Sequence, residues 1–141
     1  EEAIALLAEG AKQVAEGAGA AGVAALLAFP DRFAGRRVGI PICGGNIDPR
    51  ALANVLLRNL LRDGRLVRLV LEIPDRPGVL ADIAGRIGGA GGNIIDVSHH
   101  RLFASPSVQT AQLEVMFEAR DSLHGAEIVR ALELIYTVRR I

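Results

Sequence analysis

The stretch Leu66-Val67-Arg68-Leu69-Val70-Leu71-Glu72-Ile73-Pro74-Asp75-Arg76-Pro77-Gly78-Val79-Leu80 decides the fold. Residues 66–73 read as a strand, with Val67, Leu69, Leu71 and Ile73 on one face and Leu66, Arg68, Val70 and Glu72 on the other. Pro74 to Gly78 are turn residues, and Pro77 stands where a helix begins. Val79, Leu80, Ile83 and Ile87 then recur at three- to four-residue spacing, which predicts a short helix with its apolar face inward. Gly88, Gly89, Gly91 and Gly92 close it. Residues 93–102 alternate as a second strand and 109–119 as a third, with Ala111, Leu113, Val115 and Phe117 on one side. Asp121 or Ser122 caps a second helix carrying Ile128, Val129, Leu132 and Ile135, and residues 136–141 supply a last strand. The order β-α-β-β-α-β folds, by the right-handed crossover rule, into a four-stranded antiparallel sheet with two helices on one face.

Upstream the composition changes to Ala, Gly and Leu, the shift falling near Asp63 and Gly64. Residues 1–10 read as an amphipathic helix, and residues 17–28 as a small-residue helix that is tightly packed and buried. Residues 37–42 read as a buried strand running into Cys43-Gly44-Gly45-Asn46. Asp48 or Pro49 then starts a helix through Leu61 with Leu52, Val55, Leu56 and Leu60 inward. A strand, a glycine-rich turn and a helix N-terminus form an ordinary anion or cofactor cradle of α/β proteins.

Composition excludes several classes. Of the 141 residues half are hydrophobic and 23% charged, as in a globular protein with a real core. Sixteen basic and sixteen acidic side chains cancel, and four Phe, one Tyr and no Trp leave neither the field nor the stacking platforms for nonspecific nucleic-acid binding. No apolar run approaches the roughly 20 residues of a bilayer span, and a basic, apolar signal peptide is absent. A single cysteine excludes an internal disulfide and a cysteine metal cluster, and points to the cytoplasm. The chain opens on Glu1-Glu2 without Met, as a processed chain or one that begins partway through something longer does.

Glu16-Gly17-Ala18-Gly19-Ala20-Ala21 and, 27 residues beyond Glu16, Cys43-Gly44-Gly45-Asn46 together resemble the C-terminal end of the catalytic domain of pyridoxal-phosphate enzymes of the threonine and serine dehydratase family. The resemblance implies that Glu16 lies in the active site and that Cys43 faces the pyridine nitrogen of pyridoxal phosphate, with Gly44, Gly45 and Asn46 forming the turn beside it. Cys there is more like serine dehydratases, whereas many threonine dehydratases carry Ser. A thiol is a weak hydrogen-bond partner and leaves that nitrogen unprotonated, which suits α,β-elimination. On residues alone, Cys43 also reads as a small buried hydrophobe. The family's Schiff-base lysine motif and phosphate loop have no counterpart: the only lysine, Lys12, stands in Ala-Lys-Gln-Val as a surface residue. This chain alone is therefore expected to hold no catalytic residue and to be inactive.

Ile73-Pro74-Asp75-Arg76-Pro77-Gly78-Val79-Leu80, followed by Gly91-Gly92-Asn93-Ile94, resembles the ACT regulatory domain. Gly78 lets backbone approach a ligand carboxylate, which the N–H groups of Gly78, Val79 and Leu80 favour. Asp75 can accept from an amino acid's ammonium group, and Asn93 offers an amide across a domain–domain interface, since ACT domains commonly bind the amino acid between two paired copies. The expected fold is α/β: a C-terminal piece of a PLP fold type II catalytic domain over residues 1–62, a linker at 63–65, and a ferredoxin-like βαββαβ ACT domain over 66–141.

The remaining candidates are bland. His99 and His100 are adjacent on a strand, point to opposite faces and cannot chelate one ion. His124 is a lone helix residue, and Glu72, Glu114 and Glu118 sit at partly solvated strand positions, so neither a metal site nor a carboxylate dyad is expected. Two functions follow. In one, the chain is the C-terminal part of a cytoplasmic threonine ammonia-lyase, in isoleucine biosynthesis, that turns threonine into 2-oxobutanoate and ammonia or serine into pyruvate, and whose ACT domain binds an effector amino acid such as isoleucine or valine. In the other it is a stand-alone amino-acid sensor without catalysis. Both imply a homo-oligomer, because pairing covers a bare sheet edge and builds the ligand site.

Overall fold

A computed structural model describes residues 1–100 and 110–141. In chain order it contains α1 (Glu2–Leu6), continued by a π-helical turn (Leu7–Ala11), then α2 (Gly17–Ala28), α3 (Pro30–Phe33), α4 (Pro49–Arg62), β1 (Leu66–Pro74), α5 (Val79–Gly89), β2 (Asn93–His100), β3 (Thr110–Glu118), α6 (Ser122–Glu133) and β4 (Thr137–Arg140). The chain divides into two units, Glu1–Asn59 and Leu60–Ile141, with the division inside α4.

In the second unit the four strands pair antiparallel in the order β2-β3-β1-β4. Alternation in β1 turns Val67, Leu69, Leu71 and Ile73 to one face, and β3 matches it with Ala111, Leu113, Val115 and Phe117. Val79, Ile83 and Ile87 of α5 and Ile128, Val129 and Leu132 of α6 close over that face as one apolar core. Each fully buried Leu, Ile or Phe contributes about 1.5–3 kcal/mol. Asp121 caps α6, its Oδ1 accepting from the His124 backbone N–H at 2.9 Å. The expected βαββαβ topology is therefore present.

Three details depart from the periodic reading. Leu80 is 41% exposed on the outer side of α5, and Ile135 lies past the end of α6, also exposed, so neither joins the core. In β2 the register slips between Ile94 and Asp96, leaving Ile95 as a bulge at the sheet edge. Leu102 and Gln109, expected at strand ends, lie outside the described residues. His99 pairs with Leu113 and His100 with Gln112, so the two rings take opposite faces as expected.

The first unit has its own small core of Ala3, Ile4, Ala5, Leu7, Ala15, Ala20 and Val55, onto which Leu52 and Leu56 of α4 pack. Three expectations are corrected here. Residues 37–42 form no strand: among the described residues no segment pairs with them, and an unpaired backbone has no ladder to join. Val38 is 43% exposed there. Helix α2 forms as expected, but of its residues only Gly19 and Ala20 are buried; Val23 packs on the small core half-buried, and Leu27 and Ala28 are exposed. Cys43 is exposed, not a buried hydrophobe.

Candidate functional site

The turn from β1 into α5 is built by its sequence. Pro74 ends the strand and accepts at its carbonyl from the Arg76 N–H at 3.0 Å. Gly78 is the N-cap of α5 with φ 90°, a left-handed conformation that an L side chain adopts only at a cost. Its carbonyl accepts the first helical hydrogen bond, from Asp82 N–H at 3.0 Å. The N–H groups of the first helical turn have no partner within the helix. A Cβ added at Gly78 meets nothing within 4 Å, so the approach to that helix end is open.

Beside the turn lies a groove of about 500 Å³ lined by Arg76, Gly78, Val79, Asp82, Arg86 and Tyr136, among others. Asp82 Oδ2 accepts from Arg86 Nε at 2.7 Å and from the Tyr136 hydroxyl at 2.8 Å. The Arg86 hydrogen bond, then that of Tyr136, holds the Asp82 carboxyl below its usual range. Burial, then the bond to Asp82, pushes the Tyr136 phenol up, and the Asp82 bond also raises Arg86. With Asp82 engaged by two donors, the Arg76 guanidinium and the α5 N-terminus leave the groove suited to an anionic group such as a carboxylate. Sequence reasoning missed this cluster: Asp82 and Arg86 carry an i,i+4 signal, but Tyr136 is 54 residues from Asp82.

Asp75, Gly78, Val79 and Leu80 thus share one end of the sheet, whereas Asn93 begins β2 at the other, opposite Glu118, which pairs with Leu66. The length of β1 lies between them, about 26 Å at about 3.3 Å per residue. Asn93 Nδ2 donates to Glu118 Oε2 at 3.0 Å. Within one chain the two halves of the expected effector set do not meet.

In the first unit the Glu16 N–H donates to the Gly44 carbonyl at 3.1 Å. A Cβ at Gly44 would stand 2.5 Å from Glu16 Oε1, and one at Gly19 would stand 2.6 Å from the Cys43 carbonyl oxygen. Glu16, Cys43 and Gly44 are therefore gathered where α2 begins, and the φ of 92° at Gly44 suits glycine. Gly45 backs onto the Val14 carbonyl, and Asn46 is exposed beside it. Lys12, the sole lysine, ends the π-helical turn in an exposed left-handed conformation. No group of three or more metal-ligating side chains occurs among the described residues, and no helix there is long and apolar enough to cross a membrane.

The βαββαβ sheet is an ACT-like fold, and residues 67–133 match the ACT domain family. The similarity reaches beyond the domain: over 93% of its length the chain is 40% identical to an L-threonine ammonia-lyase of Thermotoga maritima and 36% identical to one of Geobacter sulfurreducens. It covers 32% and 33% of those two proteins, so it spans about a third of the curated relatives it matches. The ligand-free regulatory subunit of aspartate kinase from Thermus thermophilus matches with a TM-score of 0.40 and 19% identity, over 55% of this chain and 52% of that one. Residues 67–133 thus carry an ACT domain, and the chain as a whole is similar to part of L-threonine ammonia-lyases.

Proposed function

We propose that this chain is the amino-acid-responsive part of a cytoplasmic, pyridoxal-phosphate-dependent dehydratase that converts threonine to 2-oxobutanoate and ammonia, or serine to pyruvate. The reading rests above all on the open Gly78 turn at the head of α5, set in an ACT domain. Residues 1–62 are the end of the catalytic domain, 63–65 the linker and 66–141 the sensor. The effector is an amino acid of the isoleucine, valine, threonine or serine class. Its carboxylate lies against the N–H groups of Gly78, Val79 and Leu80, near Arg76, and its ammonium group meets Asp75 and an Asn93 amide.

Because Gly78 and Asn93 occupy opposite ends of the sheet, the complete site needs two copies related by a two-fold axis, the turn of one beside Asn93 of the other. A ligand that prefers one pairing then biases whatever the ACT domains are joined to. When bound, pyridoxal phosphate supplies the electron sink for elimination. This chain's own share is Cys43 toward the ring nitrogen and Glu16 beside it, with Gly44, Gly45 and Asn46 shaping the turn; anchoring the cofactor takes a lysine and a phosphate loop from outside the chain. Titration calorimetry of the 141-residue chain with isoleucine, valine, threonine and serine tests the sensor. Saturable heat with at least one of them, lost in Gly78→Asp, is expected. No binding to any of the four at millimolar concentration overturns it.

A further inference from the structure

Among the described residues, His124 of α6 is the one buried polar or charged side chain, 4% exposed. All its polar atoms are engaged. Nδ1 accepts from the Arg120 backbone N–H at 3.1 Å, Nε2 lies 2.7 Å from the Ala90 carbonyl, and the backbone N–H is held by Asp121. An amide N–H can only donate and a carbonyl can only accept, so the ring is the Nε2–H tautomer, accepting at one nitrogen and donating at the other.

The two turns that this ring joins are those that carry the Asn93 pair. Ala90 precedes Asn93 by three residues and Arg120 follows Glu118 by two, while Asn93 Nδ2 donates to Glu118 Oε2. Between them the chain passes under the ring at Gly91, whose φ of 88° suits glycine; a Cβ there would touch Cε1 and Nε2 at 3.7 Å.

We propose that His124 is a positioning residue for Asn93: by clamping the turn before β2 to the turn after β3, it fixes where the Asn93 amide is presented. With Nδ2 committed to Glu118, Asn93 offers its Oδ1, an acceptor suited to a ligand's ammonium group. The ligand side of this inference rests on the reading of Asn93 as part of the effector site; the clamp itself does not.

The test is nitrogen–proton NMR of the 141-residue chain and its His124→Leu, His124→Gln and His124→Asn variants, with isoleucine, valine, threonine and serine added in turn. Wild-type His124 is expected to show a protonated Nε2 and an unprotonated Nδ1. In His124→Leu the Asn93 side-chain amide and the Arg120 backbone amide shift, the Tyr136 signals at the far end of the sheet stay in place, and amino-acid affinity falls about tenfold, the scale of one lost hydrogen bond. Gln keeps a donor toward Ala90 and Asn keeps an acceptor toward Arg120, so each restores part of the wild-type pattern. If His124→Leu folds and leaves the Asn93 amide unmoved, the proposal is overturned. If it does not fold, the Gln and Asn variants carry the test, and an unmoved Asn93 amide in both overturns it. If the wild type binds none of the four amino acids while the Asn93 signal responds, the clamp is supported and it is the effector reading that fails.

Discussion

Replacing Gly78 by alanine tests whether the left-handed turn at the head of α5 is a property of the backbone. At φ 90° an alanine costs about 1–2 kcal/mol; the added Cβ itself meets nothing within 4 Å, so no clash contributes. Gly85, on the exposed side of the same helix, also meets nothing within 4 Å but has ordinary helical backbone. The identical substitution there should stabilise by about 0.5–1 kcal/mol, through helix propensity. The two variants therefore differ in sign. In a domain the size of the second unit, 1 kcal/mol moves the melting temperature by about 4–8 °C. Gly78→Ala should melt about 4–16 °C lower than the wild type and Gly85→Ala about 2–8 °C higher. The chain has no Trp and one Tyr, Tyr136, so tyrosine fluorescence reports the second unit alone during thermal unfolding. A Gly78→Ala variant that melts with or above the wild type refutes the backbone account of the turn.

The same tyrosine gives a spectrophotometric titration without overlap, and its midpoint should lie above 10.0, because burial and then the bond to Asp82 favour the neutral phenol. With the folded value raised, that contribution to stability is present below the unfolded value and lost as pH rises through the folded one. Asp82→Asn should bring the midpoint down. The Asp82 shift is opposite in sign: its contribution is present above 3.8 and is lost as pH falls through the lowered folded value, so thermal unfolding of wild type and Asp82→Asn should converge in acid. Phe117→Ala, at a fully buried position near the end of the inner strand β3, should cost about 3–5 kcal/mol by denaturant unfolding; a loss below 1 kcal/mol would contradict the core described above.

Where a residue's fate depended on its neighbours in the chain, the sequence was readable. The alternation of Val67 to Ile73 and of Ala111 to Phe117, the Pro77-Gly78 turn and the Asp121 cap are local features, and each lies where the pattern puts it. Ile94 and Ile95 are adjacent and both apolar, so alternation could not say that the second would bulge outward. Residues 37–42 have the composition of a strand, but a strand exists only when a partner pairs with it. The small residues of α2 say that its surface suits close packing, not that something covers it here. The groove cluster was hidden because Tyr136 reaches Asp82 only through the fold, and the separation of Asn93 from Gly78 follows from register, which no motif displays.

The central claim, an amino-acid site shared between two copies, is tested most directly by mixing two defective chains. Gly78→Asp spoils one half of the site and Asn93→Ala the other, so neither should bind the amino acid that the wild type binds. After subunit exchange, a mixed pair holds one intact site, and a one-to-one mixture should recover about a quarter of the wild-type binding capacity. A wild-type chain that binds no amino acid, or a mixture that binds no better than either variant alone, would contradict the account.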